Sequence, residues 1–295
     1  MKVLKAIWEL MRLEHGVMIA IAILIGSIIA LEGEGFPALD KFILTFFTAL
    51  FLEASTFALN DYFDIDIDKK NNRTDRPLVR GDLQPNTALY LFAIFFPLGI
   101  LCSYFVNLTC FFIALVTAFL AVLYDAKLKK IKLLGNFYIA YVMAIPFIFG
   151  GAAVLGTSGI NFSLHPAILI VALIAFLAGS GREIMKDVMD FTGDREQGVK
   201  SFPKYIGIRA SNVLAAFFYL IAIALSFVPF FIENYNIYYL NYYYLVPILL
   251  TDTMLLSTSL QLIFKKDVHM KLYRKFTLIA LFIGLIGFLL GAFMQ

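Results

Sequence analysis

N-D-Y-F-D-I-D-I-D-K-K-N-N-R-T-D-R-P-L-V-R, from Asn60 to Arg80, follows directly on an apolar run, and its reading decides the fold. It carries Asp61, Asp64, Asp66 and Asp68, then Lys69, Lys70, Arg73, Arg76 and Arg80. On a helix of 3.6 residues per turn, Asp61, Asp64 and Asp68 stand at i, i+3 and i+7, so their oxygens converge on one face. Carboxylates that close raise one another's pKa unless a cation neutralises them, and their convergence implies a bound divalent ion. All-oxygen ligands select a hard cation, Mg²⁺ or Ca²⁺, and Mg²⁺ typically combines a few carboxylates with substrate phosphates. Arginines just downstream suit the same ligand, because guanidinium forks pair bidentately with phosphate oxygens.

The spacing recurs far along the chain. From Lys186 to Asp194 the sequence reads K-D-V-M-D-F-T-G-D, with Asp187, Asp190 and Asp194 matching Asp61, Asp64 and Asp68, and Lys186 in the place of Asn60. One acidic helix end is commonly only a solvated surface. Two copies, each at the end of an apolar segment, point to a clamp in which three aspartates hold each of two metal ions on one diphosphate.

Composition puts both clusters in a membrane. The 295 residues are 61% hydrophobic and 15% charged, with a mean hydropathy of +0.85, where soluble domains carry about 25% charged residues. The two cysteines, Cys102 and Cys110, lie in apolar runs, and the three histidines are far apart, which excludes a disulfide scaffold and disfavours a zinc or histidine metal site. No cleavable signal peptide is evident.

A span needs about 20 mostly apolar residues. Nine candidates lie near residues 15–32, 38–60, 87–106, 108–126, 135–156, 165–187, 211–232, 243–264 and 274–294. Residues 1–14 read as an interfacial helix, with Lys2, Lys5 and Arg12 for headgroups and Trp8 for the aromatic belt. With nine spans and the N-terminus cytoplasmic, all of the 24 Lys and Arg except Lys41 fall on the inner side, and the C-terminus is outside. The fold expected is therefore all-α: one polytopic transmembrane domain over residues 1–295, a nine-helix bundle of two pseudo-repeated four-helix halves plus a ninth helix. Residues 61–86 and 188–210 read as cytoplasmic active-site loops, with Gly193 allowing a turn between Asp190 and Asp194.

Further candidates surround the two clusters. Glu53, seven residues before Asn60, shares its helix face and is expected to line the same cavity, since intramembrane carboxylates usually face a bundle interior. Asp252 sits within the eighth span with no role assigned. Gly150, Gly151, Gly179 and Gly181 permit close helix approach. The inner loop Y-D-A-K-L-K-K-I-K, from Tyr124 to Lys132, offers Tyr124, Lys127, Lys129 and Lys130. Six tyrosines between Tyr235 and Tyr244 suit the outer aromatic belt.

An apolar membrane cavity capped by a di-metal diphosphate site fits a polyprenyl diphosphate donor. Its tail lies among helices while metals and basic side chains stabilise charge on the departing diphosphate. Water must then be kept from the allylic carbocation, and the bilayer does so.

N-D-x-x-D-x-x-x-D at Asn60–Asp68, the second motif at Asp187–Asp194 and the Tyr124 loop together resemble the UbiA superfamily of intramembrane prenyltransferases. R-T-D-R-P-L-V-R-G from Arg73 and G-R-E-I-M-K-D-V-M-D-F-T-G-D with G-V-K-S-F-P, over Gly181–Pro203, resemble its digeranylgeranylglyceryl phosphate synthases. The resemblance implies a nine-helix bundle, geranylgeranyl diphosphate as donor, a lipid phosphate (geranylgeranylglyceryl phosphate) as acceptor, and Mg²⁺, two ions, as cofactor. By position it assigns Asn60, Asp61, Asp64 and Asp68 to one Mg²⁺–diphosphate contact and Asp187, Asp190 and Asp194 to the other. Arg73, Arg76, Lys127, Lys129, Lys186 and Tyr124 are expected on the diphosphate, and Lys200, with Arg195 and Lys204, on the acceptor phosphate. Membrane lipids surround the protein, while neither a nucleic acid nor an obligate protein partner is implied. Two other readings stay open: the same fold with an aromatic acceptor, as in quinone or haem side-chain attachment, and an ion-coupled secondary transporter.

Overall fold

The computed structural model describes residues 2–70, 72–156, 159–196, 198–265 and 268–294, and among these every regular element is helical. Nine of the described helices are long and apolar enough to cross a membrane.

Helix α1 (Lys2–Met11) is short and two-sided. It buries Ala6 and Leu10 beside Ala58, Leu78 and Ala88, and turns Val3, Leu4 and Trp8 outward, as an interfacial helix does. Arg12 then takes left-handed φ/ψ of 50° and 44°, which ends α1 and turns the chain through a 3₁₀ turn into α2 (Gly16–Ala30).

The next helix corrects the expected loop at residues 61–86. Helix α3 (Leu39–Lys70) runs 32 residues without a break, about 48 Å at 1.5 Å per residue, against a hydrocarbon thickness of about 30 Å. Hydropathy fails at Asn60, but backbone hydrogen bonding does not, and the whole aspartate motif is helical. After a tight loop, α4 (Pro77–Arg80) opens on proline and closes on Gly81 at φ 78°, the left-handed stop that glycine supplies without strain.

Helices α5 (Pro85–Val106) and α6 (Leu108–Ala126) meet at Asn107. Its side chain accepts from Cys110 N at 2.8 Å and donates to Ala152 O at 2.8 Å. Helix α7 (Lys132–Ala153) follows, then α8 (Pro166–Glu196), whose 31 residues again carry an aspartate motif beyond the expected span. No turn forms at Gly193, which lies inside α8, so the segment 188–210 starts as helix too.

Helix α9 (Phe202–Ser226) is kinked where Gly207 adopts φ 81°. It leads through α10 (Val228–Phe231) to α11 (Tyr242–Phe264) and α12 (Met270–Phe293). Helix α3 packs along α5 as α8 packs along α9, at the same offset in the two halves of the chain.

Backbone contact between α2 and α7 sets the centre of the bundle. A Cβ on Gly150 would stand 2.1 Å from Ile23 O, and one on Gly26 would stand 2.0 Å from Phe147 O. Ser27 Oγ also donates to Gly150 O at 2.9 Å. Gly151, Gly179 and Gly181 likewise face α8, α7 and α9 side chains or backbone at contact distance. Of the tyrosines expected in an outer belt, Tyr238 and Tyr244 are instead fully buried. Their hydroxyls donate to Phe288 O (3.1 Å) and Ser226 O (2.6 Å), which removes the reason to stay at an interface.

Gly150→Ala should therefore destabilise the protein by about 3 kcal/mol, the upper end for overpacking, because the atom it meets is backbone and cannot move aside. Gly156→Ala, with open space around its Cβ position, should leave the thermal unfolding midpoint in detergent unchanged. Equal midpoints for both variants would refute the crossing.

Candidate active site

A cavity of about 1040 Å³ runs between the helices, from the end that carries both aspartate motifs into the bundle. Its inner walls are apolar, built from Met18 and Ala22 of α2, Val142 and Phe147 of α7, Val171 and Ile174 of α8, and Leu278, Leu281 and Leu285 of α12. Toward the far end, Ser226 donates to Asp252 at 2.7 Å. Glu53 lies on the cavity wall, 3.3 Å from His15 Nδ1.

The charged end is built from both halves of the chain. From α3 come Asn60, Asp64 and Asp68, each on the cavity wall. With its amide nitrogen turned toward them, Asn60 donates to Asp125 Oδ1 at 2.9 Å and Asp64 Oδ2 at 3.3 Å. Lys129 pairs with Asp64. Of the competing loop lysines, Lys129 and Lys130 reach the cavity, whereas Lys127 is exposed outside it. Tyr124 also lines the cavity, stacked on Tyr138 with ring centroids 4.7 Å apart.

Asp61 is placed differently. Only 2% exposed, it accepts from Arg12 Nη2 at 3.0 Å and from Arg76 Nη1 at 3.0 and 3.3 Å, and it is off the cavity wall. Arg12, expected at headgroups, instead lies 4.1 Å over the Phe57 ring. Burial and the neighbouring Arg76 charge lower its pKa from the usual arginine value. Arg73 reaches the cavity while held by Asp75 through two hydrogen bonds of 2.9 and 2.8 Å. Those bonds bring the Asp75 carboxyl down to about 2.

On α8, Lys186 and Asp194 line the cavity. Asp187 does not: it is 1% exposed, accepting from Asn136 Nδ2 at 2.7 Å and facing Lys132 at 3.6 Å. Lys132 also bonds Asp194 at 2.5 Å. Asp190 is half-buried off the wall, and Lys200, Arg195 and Lys204 are exposed outside the cavity. Sequence reasoning missed Arg12, His15, Asp125, Lys132, Asn136, Arg182 and Glu183. Two of these had a visible signal: Asp125 adjoins Tyr124, and Glu183 extends the α8 acidic row by one turn.

Among the described residues no group of three or more His, Cys, Asp or Glu is close enough to hold a metal ion, so neither aspartate triplet forms a ready-made three-carboxylate cage. The donors nevertheless suit Mg²⁺. Asp64 and Asp68 present hard oxygens one turn apart on the cavity wall with Asp194 also on it, and Asp187 Oδ1 is buried without a hydrogen-bond partner. Mg²⁺ usually needs only one or two carboxylates when substrate phosphates complete its shell.

A helical bundle enclosing an apolar cavity with carboxylates and cations at one end suits a substrate with an apolar tail and an anionic head, as a membrane prenyltransferase takes. The model of the UbiA prenyltransferase family matches residues 19–286, and the chain belongs to that family. Digeranylgeranylglyceryl phosphate synthase of Archaeoglobus fulgidus is 42% identical over 98% of this chain and 96% of its own. A solved structure from work on digeranylgeranylglyceryl phosphate synthase in membranes matches with a TM-score of 0.80 at 33% identity, covering 100% of both chains. The fold is shared more distantly by a UbiA homologue from Archaeoglobus fulgidus solved with DMAPP and Mg²⁺, with a TM-score of 0.59 at 16% identity over 96% of this chain and 97% of that one.

Asp61 and Asp64 of α3 should respond oppositely to substitution. Asp61→Ala leaves two guanidiniums without their buried carboxylate and should lower stability by about 3–5 kcal/mol. Asp64→Asn should hold the unfolding midpoint within about 1 kcal/mol, the scale of a single partly exposed ion pair, yet abolish Mg²⁺-dependent binding of a prenyl diphosphate. Calorimetry of folding and of ligand binding separates the two, and a stable Asp61→Ala protein would refute the assignment.

Proposed function

We propose that the protein transfers the geranylgeranyl group of geranylgeranyl diphosphate to the free hydroxyl of geranylgeranylglyceryl phosphate, forming the second ether bond of an archaeal-type membrane lipid. The supporting observation is the cavity itself, which is charged at one end and apolar along the rest of its length. Its volume of about 1040 Å³ lies just above the roughly 300–1,000 Å³ range of small-molecule pockets, in keeping with large lipid substrates. The relatives reported above carry the same synthase name.

In this reading Asp64, Asp68 and Asp194 would hold Mg²⁺, which would supply neutralisation of charge on the diphosphate. Arg73, Arg76 and Lys129, all on the cavity wall, would contact its remaining oxygens. The allylic C–O bond breaks with its electron pair going to diphosphate, the glycerol oxygen bonds to that carbon, and the hydroxyl proton is released. The apolar walls exclude water, which would otherwise capture the cation. Asp61 and Asp187 act one step back, holding Arg12, Arg76, Asn136 and Lys132 in place. The charge distribution supports a cytoplasmic position for this end and for the N-terminus, in the cell membrane.

Purified protein given geranylgeranyl diphosphate, Mg²⁺ and geranylgeranylglyceryl phosphate should yield the doubly prenylated ether by mass spectrometry, and EDTA should stop the reaction until Mg²⁺ is restored. Prenylation of an aromatic acceptor instead would overturn the assignment.

A further inference from the structure

The cations of the active-site end are not evenly matched by carboxylates. Around α3 and α7 five cations have an acid: Arg12 and Arg76 have Asp61, Arg73 has Asp75, Lys129 has Asp64, and Lys132 has Asp194, while Lys70 and Lys130 line the wall without one among the described residues. Between α8 and α12 the balance fails. Arg182 and Lys186 lie one turn apart on the cavity wall, and Glu183 is the one acid paired with them among the described residues. It stands 3.8 Å from Arg182 Nη1 and 3.7 Å from Lys186 Nζ, too far for hydrogen bonds. Arg274 of α12 is close enough for its charge to act on Arg182. It sits one turn before Leu278 and two before Leu281, which line the cavity, and is itself off the wall.

Both guanidiniums also carry an orphan donor. Arg182 Nε and Arg274 Nε are buried and without a hydrogen-bond partner, where nearly all buried N–H groups in proteins are paired. Buried cationic N–H groups without a partner disfavour the structure by themselves and are satisfied by an anion that accepts from them. The diphosphate has its own set of groups. Arg182 lies five residues before Asp187, about 7.5 Å farther into the bundle along α8.

We infer that Arg182, Arg274 and Lys186 form a second anion site that takes the phosphate of the lipid acceptor, fixing that lipid along α12 while the donor's diphosphate is held between α3 and α8. The inference rests on the acceptor class proposed above. It replaces the exposed loop of Arg195, Lys200 and Lys204 as the acceptor's anchor: Lys204 Nζ is turned to Gly198 O, and Lys200 is exposed with its backbone bonded to Lys130 and Leu133.

The test compares two acceptors, geranylgeranylglyceryl phosphate and its dephosphorylated alcohol, with purified enzyme, Mg²⁺ and geranylgeranyl diphosphate. The wild type should prefer the phosphorylated acceptor. Arg182→Gln and Arg274→Gln should each raise its KM tenfold or more, keep the donor KM within twofold, and shrink the preference over the alcohol by the same factor. Arg274→Lys, which keeps the charge and guards against a folding defect, should recover part of the loss. Parallel rises in both KM values would assign the pair to the diphosphate, and an undiminished preference in the Gln variants would remove the site; either overturns the inference. A wild type that makes ether from neither acceptor overturns instead the reaction on which it rests.

Discussion

Asp61, clasped by Arg12 and Arg76, is the contact on which the charged end depends. It joins three segments that are distant in sequence: the bend between α1 and α2, the middle of α3, and the loop leading into α4. A carboxylate this deeply buried is tolerable only with its charge opposed and its lone pairs occupied, and two guanidiniums do both. Arg12 in turn occupies a backbone conformation that costs a non-glycine residue about 1–2 kcal/mol. Its place over Phe57 and against Asp61 holds it there. With that clasp in place, Arg76 and Asp68 are aligned at the cavity mouth, and α1 is drawn against α3 as a cover.

The cavity separates two kinds of chemistry along one axis. Toward the charged end, oxygens and cations alternate closely enough to bind a polyanion. Deeper in, helix faces supply methyl groups and rings that a hydrocarbon chain can replace one for one with lipid. Such a gradient needs helices that approach at different distances. Glycine contacts bring α2 and α7 together at the backbone, and the cavity opens between other faces of these two helices and those of α8 and α12.

Much of this was legible in the sequence, for identifiable reasons. Nine apolar runs and a one-sided charge distribution give the spans, because burial in lipid is decided segment by segment. The period of the aspartates gives their helix face. Helix ends were read short at α3 and α8 because hydropathy reports where lipid stops, and the helix continues into water on its own hydrogen bonds. Roles within the motif were harder to read. Asp61, Asp64 and Asp68 share a face, yet only the arrival of Arg12 from another segment sets Asp61 apart from the cavity carboxylates. Arg182 and Arg274 are 92 positions apart, and nothing local marks them as neighbours. Tyr238 and Tyr244 read as interfacial until their hydroxyls are seen to find carbonyls inside the bundle.

The length of α3 has a consequence for how turnover ends. Because the helix outruns the hydrocarbon layer by about 18 Å, the carboxylates on its last turns stand beyond the apolar slab while the walls below remain within it. The two products of a prenyl transfer made there differ completely in solubility. Diphosphate belongs in the water that the protruding helix ends reach, and the lengthened lipid belongs in the bilayer around the apolar walls. Neither has to pass the other on its way out.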